Sequence, residues 1–168
     1  RLRVAGGVSL NNAGLKNRMK QKNYQRYLAE LIEKYSLAGC VEFLPPLKAD
    51  EMKKMYLKSN VFVSPSSIEN SPNSLGEAMM LGVPCVSSLV GGVGNMLINE
   101  VEGFTYQHDA PYMLAYYVME IFRLQKENRQ QLADMTDMAH SHAMRLFDSE
   151  KNAANMLEIY SGIERIKG

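Results

Sequence analysis

The sequence has few cysteines, almost no net charge and no long hydrophobic run. Two cysteines, Cys40 and Cys85, are too few for a disulfide framework, and they form no CxxC pair, so a reducing compartment, the cytoplasm, is expected. Nineteen basic and eighteen acidic residues leave a formal net charge of +1, too weak a field to concentrate a polyanion, so we expect no nucleic-acid partner. No apolar stretch approaches the ~18 residues of a transmembrane segment. Attachment at the inner face of the membrane is left open.

Several catalytic motifs are also missing from the sequence. It contains no G-x-S-x-G elbow, no P-loop lysine motif and no H-E-x-x-H, so hydrolase, NTPase and zinc-protease functions have no support. His140 and His142 are two residues apart on a predicted helix and face different ways, and neither has a carboxylate at ligand spacing. We therefore predict no metal site.

Short β-branched runs alternate with helical patterns along the first two thirds of the chain. With 168 residues and 46% hydrophobic content, the chain can bury a core, and its length favours one domain. The alternation predicts an α/β fold, a Rossmann-like parallel sheet with helices on both faces. From about Pro111 onwards the pattern is helical, with Asp109 expected as the cap of the first of these helices. The sequence thus predicts a helical C-terminal segment.

The first predicted helix, over about 17–35, carries one apolar stripe. Its members repeat at intervals of three and four residues, so they share one face: Tyr24, Tyr27, Leu28, Leu31, Ile32 and Tyr35. We expect this face to belong to the core.

The loops that follow the predicted strands are rich in glycine, asparagine and serine. They read "GGVSLNNAG", "PPLKAD", "PSSIENS" and "LVGGVG". In open α/β sheets the ligand binds beyond the carboxyl ends of the strands, where such loops expose backbone N–H groups and short donors. This rim is therefore predicted to be a binding site.

Two glutamates stand on the predicted rim, Glu69 in a polar loop and Glu77 in the helix that follows it. Ser71 is expected as the N-cap and Pro72 as the first helical residue, with Gly82 just past the end. The positive end of the helix dipole then attracts a phosphate or diphosphate. Glu77 follows Pro72 by five residues, about 7.5 Å of helical rise, which brings its carboxylate within reach of a ribose or sugar diol.

Each glutamate also fits a plain structural role when it is considered alone. Glu77 has good helix propensity and would suit an exposed helical position, and Glu69 would suit a solvated loop. Considered together, the two carboxylates frame a helix N-terminus on the rim. Gly76 is expected to remove bulk beside the Glu77 carboxylate, and the pair favours ligand binding.

Five stretches carry a family resemblance: "AGG" near the start, "VEFLPPL", "MYLKSNVFVSPSSIENSPNSLGEAMMLGVPCVSSLVGG", "EGFTYQHDA" and "DSEKNAANMLEIY". These stretches resemble the donor-binding domain of the group-one family of retaining glycosyltransferases, which have the GT-B fold. The resemblance covers nearly the whole chain. The centre of the resemblance is E-x7-E followed by A-M, glycine, proline and a later double glycine. The implied activity is transfer of a sugar from a nucleoside diphosphate to an acceptor hydroxyl, with retention and without a metal or other cofactor.

The resemblance implies a role for each part of the site. Glu77 would bind the ribose hydroxyls, and Glu69 would position the transferred sugar as the catalytic-site residue without acting as a covalent nucleophile. The backbone from Asn70 to Ser74 would hold the sugar and phosphates, "FLPPL" would border the base, and the double glycine would shape the wall beside the ligand. The residues assigned to donor binding are Gly6, Gly7, Phe43, Leu44, Pro45, Asn70, Ser71, Pro72, Asn73, Ser74, Leu75, Glu77, Gly91 and Gly92.

The chain departs from the family pattern in three places. Pro45 stands where glycine is usual, and Asn95 stands where an acidic residue is common. The basic pair that neutralises the donor diphosphate in these enzymes would precede Arg1, as would the acceptor domain. Because the chain begins with Arg1 and runs straight into a predicted strand, we expect residues 1–168 to be the nucleotide-sugar-binding C-terminal domain of a longer protein, inactive alone.

Two other functions stay open at this point. A nucleotide-sugar epimerase shares the architecture but needs acid and base carboxylates that flank the sugar carbon. A binding module without chemistry would keep the pocket and lose turnover. The partners predicted under the main hypothesis are a nucleoside-diphosphate sugar as donor and an unidentified acceptor, a saccharide or a lipid-linked group.

Overall fold

The structure is a computed structural model that describes residues 1–5 and 15–167, apart from the side chains of residues 15–22, 25 and 164–167. Contacts within the chain separate two compact units, Arg1–Met52 and Lys53–Gly168, where the sequence favoured one. Each unit is described by itself. The assignment of the whole chain to one donor-binding domain stays a prediction.

The first unit contains a two-stranded parallel sheet. Its elements are β1 (Leu2–Val4), α1 (Leu15–Lys34), β2 (Val41–Phe43) and the start of α2 (Ala49–Leu57). Leu2 pairs with Val41, and Val4 pairs with Phe43.

The apolar stripe on α1 is less buried than the sequence predicted. Leu28, Leu31 and Ile32 are half-buried, whereas Tyr24, Tyr27 and Tyr35 are exposed. Periodicity identifies the apolar face of a helix, but it does not reveal how much of that face is covered. The expectation that all six residues are core is therefore wrong for the three tyrosines.

The second unit contains a three-stranded parallel sheet and most of the helices. Its strands are β3 (Phe62–Ser64), β4 (Cys85–Ser88) and β5 (Phe104–Tyr106). Its helices after α2 are α3 (Asn73–Met80), α4 (Val93–Met96), α5 (Pro111–Glu127), α6 (Arg129–Leu146) and α7 (Ser149–Lys167). The strand order is β3-β4-β5, and Val86 in β4 pairs with both Val63 and Phe104.

The core of the second unit forms where helices pack on this sheet. All four residues of β4 are buried, as is usual for a parallel strand that is covered on both faces. Val86 and Phe104 pack with Ile121 and Leu124 of α5 and with Met135 of α6. Parallel sheets surrounded by helices, followed by a helical C-terminal segment, confirm the predicted fold class. No helix in the described part of the chain is long and apolar enough to cross a membrane.

One local prediction about a helix fails in this unit, and one short helix was not predicted. Asp109 does not cap α5, because the N-cap position falls on Ala110, which makes no capping hydrogen bond through a side chain. The short helix α4, just after the double glycine, was not predicted, since four residues give too little periodicity to detect.

The predicted stop of α3 at Gly82 is confirmed. Gly82 has a φ of +67°, the left-handed conformation that glycine adopts without a steric penalty. Its N–H donates to the Met79 carbonyl at 3.0 Å, and the Val83 N–H donates to the Ala78 carbonyl at 3.0 Å. These two bonds form a Schellman motif, which satisfies the last carbonyls of the helix.

We predict that Gly82→Ala lowers the free energy of unfolding by about 1–2 kcal/mol, because a Cβ is strained in the left-handed region. Urea unfolding measures the change. Gly162→Ala is the matched control, since Gly162 lies within α7 with open space around it. A Gly82→Ala protein as stable as wild type would contradict the capping role.

Candidate functional site

The carboxyl ends of the three strands in the second unit meet at one edge of the sheet. β3 ends at Ser64, β4 at Ser88 and β5 at Tyr106, all in the same direction. The loop 65–72 therefore begins at this edge, and so does the loop 89–92. The structure brings together the loop that carries Glu69 and the loop that carries the double glycine, as the sequence predicted.

Glu69 is held from within its own loop. The Ser66 hydroxyl donates to Glu69 Oε1 at 2.9 Å, and Glu69 is half-buried. The Ser88 hydroxyl, at the end of β4, donates to the Ser66 carbonyl at 2.5 Å. One carboxylate oxygen of Glu69 is thus connected to the central strand, and Oε2 has no hydrogen-bond partner among the described residues.

The double glycine packs directly on the backbone of the Glu69 loop. The Gly92 N–H donates to the Asn70 carbonyl at 2.6 Å. Gly91 has a φ of +52°, and a Cβ there would overlap the Glu69 carbonyl oxygen. Because a side chain at either position would force the loops apart, both positions require glycine. Their predicted role beside the ligand stays a prediction, and the observed contact is with the loop.

The N-terminus of α3 differs by one residue from the prediction. Pro72 occupies the N-cap position with an extended ψ of 108°, and no side chain caps the helix. The Ser71 hydroxyl lies 3.2 Å from Met96 Sδ instead. Ser71 as N-cap is therefore wrong, since tertiary packing against α4 competes for its hydroxyl. The N-terminal N–H groups of α3 remain uncapped by side chains in the described part of the chain, which suits an anion.

Glu77 has a hydrogen-bond partner that the sequence analysis missed. Tyr56, near the end of α2, donates its hydroxyl to Glu77 Oε2 at 3.1 Å and lies 3.3 Å from the Ser74 carbonyl. Tyr56 is buried, and this burial, together with the Glu77 charge, raises the pKa of its phenol. A tyrosine on an otherwise apolar helical face is a detectable signal, because a buried hydroxyl needs a partner.

The prediction for Gly76, next to Glu77, needs correction. Gly76 does not make room beside the carboxylate, because it is buried and a Cβ there would overlap the ring of Phe147, just after α6. Leu75 is fully buried as well, so only its backbone can meet a ligand, and its assignment to donor binding stays a prediction. The exposed face of α3 carries Asn73, Ser74 and Glu77.

The remaining predicted residues lie in or near the first unit. Phe43 ends β2 and is exposed, and the Leu44 N–H donates to the Val4 carbonyl at 2.9 Å. Pro45 is exposed at the same carboxyl end. Gly6 and Gly7 lie outside the described residues. The contribution of these five residues to a donor site stays a prediction.

A buried carboxylate also contacts one of the histidines. Glu102 Oε2 accepts the Ile98 N–H at 3.0 Å and lies 2.9 Å from His142 Nδ1. This carboxylate lies forty residues from His142 in the chain, so the spacing of residues near His142 does not reveal it. A cavity of about 370 Å³ adjoins Glu102 and is lined further by Asp137, Met138, Ser141 and Arg145. Among the described residues, no group of three or more His, Cys, Asp or Glu side chains could hold a metal ion.

The sequence of the chain matches a known protein family. A family model described as "Glycosyl transferases group 1" matches residues 1–136, most of the sequence. The chain belongs to this family. Glu69, Glu77 and the double glycine all lie within the matched part of this group 1 glycosyltransferase sequence, whereas His142 lies beyond it.

A curated relative carries a glycosyltransferase name as well. D-inositol 3-phosphate glycosyltransferase of Corynebacterium urealyticum is 26% identical over 136 residues, which cover 81% of this chain and 31% of that protein. The group 1 chain thus spans less than a third of that relative.

Two solved structures share its fold. Sucrose-phosphate synthase from Thermosynechococcus elongatus has a TM-score of 0.78 at 23% identity, covering 98% of this chain and 39% of its own. HepE of Anabaena has a TM-score of 0.74 at 24% identity, and the match covers 85% of this chain and 38% of the HepE chain.

We predict that Gly91→Ala lowers the free energy of unfolding by more than about 2 kcal/mol, because the left-handed backbone and the overlap with the Glu69 carbonyl both oppose a Cβ. Urea unfolding measures this loss, and hydrogen exchange over residues 66–72 should rise. Gly94→Ala is the control, since a Cβ there meets only Leu89 Cδ1 at 3.4 Å. Equal stability of the two variants would contradict the close packing.

Proposed function

We propose that this chain binds a nucleoside-diphosphate sugar and that the full-length protein transfers the sugar to an acceptor hydroxyl with retention of configuration. The observation that carries the proposal is the pair of hydrogen-bonded carboxylates, Glu69 in the loop that leads into α3 and Glu77 within α3, together with a helix N-terminus that no described side chain caps. Each carboxylate accepts, through one of its oxygens, a hydrogen bond from one hydroxyl of the protein. Each retains an oxygen for the hydroxyls of a ligand.

The N-terminus of α3 is the proposed site of the diphosphate. The helix has eight residues and no side-chain cap among the described residues, so its first N–H groups and its dipole favour an anion. Glu77 lies about 7.5 Å further along the helix axis than Pro72. A phosphate at the start of α3 would leave the ribose within reach of the Glu77 carboxylate, which suits a vicinal diol.

Glu69 is the proposed contact for the transferred sugar. It lies in the loop that precedes α3 at the sheet edge, and the family resemblance implies that it meets the sugar end of the donor. We propose that it orients the sugar through a hydroxyl and forms no covalent bond. As the bond to the diphosphate breaks, the N-terminus of α3 would stabilise the departing charge, helped by cations from outside this chain.

The comparisons support the proposed ligand class. HepE of Anabaena was solved in complexes with UDP and with UDP-glucose, and the Corynebacterium relative is named D-inositol 3-phosphate glycosyltransferase. A nucleoside-diphosphate sugar as donor and a hydroxyl as acceptor follow as the proposed chemistry. The family resemblance supports retention and a transfer without a cofactor.

Turnover of labelled nucleotide-sugars by the full-length protein tests the proposal. Transfer to an acceptor supports it, and the anomeric configuration of the product tests retention. Isomerised donor would indicate an epimerase instead, and bound donor without turnover would indicate a binding module. A thermal-shift panel of nucleoside diphosphates identifies the base.

We predict that Glu77→Gln weakens nucleoside-diphosphate binding roughly tenfold or more, because a hydrogen bond to an ionised acceptor contributes about 1.5–3 kcal/mol. Titration calorimetry on the full-length protein measures the loss. Glu158→Gln is the control, since Glu158 is an exposed glutamate on α7. Unchanged affinity in a folded Glu77→Gln protein would remove Glu77 from the proposed site.

For Glu69→Ala we predict a selective effect. Affinity for the nucleotide-sugar should fall, whereas affinity for the free nucleoside diphosphate should scarcely change, because only the nucleotide-sugar carries hydroxyls near loop 65–72. The ratio of the two dissociation constants is the measurement, with Glu158→Ala as the control. If both ligands lose affinity equally, Glu69 supports the phosphate side or the fold and does not contact the sugar.

A further inference from the structure

We propose that Tyr56 is a positioning residue of the donor site: its hydroxyl fixes the Glu77 carboxylate in the orientation that binds the ribose. The match to the group 1 family assigns no role to Tyr56. The inference rests on the proposed function, because it names what holds one of the two proposed donor contacts. Tyr56 itself touches no ligand in this arrangement and acts only through Glu77.

The position of Tyr56 is fixed by packing. Its side chain is 4% exposed, and its ring lies 5.8 Å from the ring of Phe62, the first residue of β3, at a tilt of 58°. A buried aromatic ring between a helix and a strand has little rotamer freedom. The hydroxyl therefore reaches α3 at a defined point, between the Ser74 carbonyl and the Glu77 carboxylate.

The Tyr56 hydroxyl has one hydrogen and two acceptors within reach. The Ser74 carbonyl lies at 3.3 Å and Glu77 Oε2 at 3.1 Å. An ionised carboxylate is the stronger acceptor, and the distances favour it too. The hydrogen is thus assigned to Glu77, which leaves Oε1 without a partner among the described residues.

The phenol remains a donor at neutral pH. Burial raises the pKa of Tyr56, and the adjacent Glu77 charge raises it further, since a phenolate beside a carboxylate is repelled. Tyr56 therefore keeps its hydrogen at neutral pH. The hydrogen bond persists under the conditions in which a donor would bind.

The expected benefit is a smaller entropy loss on binding. Glu77 is exposed, and a free glutamate side chain samples several rotamers that binding must restrict. With Oε2 held by Tyr56, the carboxylate is already oriented. Removal of the hydroxyl should weaken ribose recognition by about threefold to tenfold, the range expected when one flexible side chain loses its preorganisation.

A purely structural role for Tyr56 makes a different prediction. If the hydroxyl only joins α2 to α3, its loss lowers stability and weakens every ligand of the site alike. If it positions Glu77, the loss is confined to ligands that carry ribose hydroxyls. Affinities for a nucleoside diphosphate and for its 2′,3′-dideoxy analogue, which lacks both hydroxyls, separate the two roles.

The test compares Tyr56→Phe with wild type in the full-length protein, using the nucleoside diphosphate that binds wild type. We expect its affinity to fall about threefold to tenfold while affinity for the dideoxy analogue stays unchanged. In a Glu77→Gln background, Tyr56→Phe should add little, because the group it positions is already altered. Tyr106→Phe is the matched control, since Tyr106 is also buried but packs in the cluster around Val86 and Ile121.

Each outcome of this test has a defined meaning. Equal losses for the ribose and dideoxy ligands, or additive effects in the double variant, overturn the positioning role and leave the proposed function standing. A wild-type protein that binds no nucleoside diphosphate overturns both. If Tyr56→Phe does not fold, 3-fluorotyrosine at position 56 keeps the hydroxyl, and its ¹⁹F signal should shift with the ribose ligand and not with the dideoxy analogue. The same shift with both ligands overturns the inference.

Discussion

The close approach of two backbone segments, 69–70 and 91–92, is the constraint on which the rest of the site depends. Both loops begin at one edge of the parallel sheet. There the Gly92 N–H donates to the Asn70 carbonyl, and Gly91 has no Cβ that would overlap the Glu69 carbonyl oxygen. Because β4 is buried along its whole length, the second loop has a rigid base. The backbone position of Glu69 is therefore set by the sheet through main-chain contacts.

The two glutamates are held in the same way, although one lies in a loop and the other in a helix. Ser66 holds an oxygen of Glu69 and Tyr56 holds an oxygen of Glu77. Neither carboxylate forms an ion pair with a described side chain. Two negative charges next to a diphosphate repel it, and the dipole of α3 offsets only about 0.3–1 kcal/mol at an exposed site. Neutralisation of the proposed diphosphate would therefore need cations in addition to the dipole of α3.

Local patterns in the sequence predicted the fold class and the exposed part of the site, and long-range contacts explain what they missed. Alternating strands and helices, the rim position of Glu69 and the stop at Gly82 each depend on neighbours along the chain. The bond from Tyr56 to Glu77, the contact of Gly76 with Phe147 and the loss of Ser71 as a cap depend on residues 21, 71 and 25 positions apart. Local periodicity does not reveal such pairs of distant residues, and the predicted roles of Ser71 and Gly76 were wrong for this reason.

The buried face of α3 explains why its exposed face can serve a ligand. Leu75, Ala78 and Met79 are fully buried, and the absence of a Cβ at Gly76 lets the ring of Phe147 pack against the helix. This packing holds α3 on the unit, so the N–H groups at its start and the carboxylate one turn later have a defined position at the sheet edge. Preorganised dipoles and acceptors need no rearrangement when charge arrives. The same apolar packing that stabilises the unit therefore determines the direction in which its polar groups point.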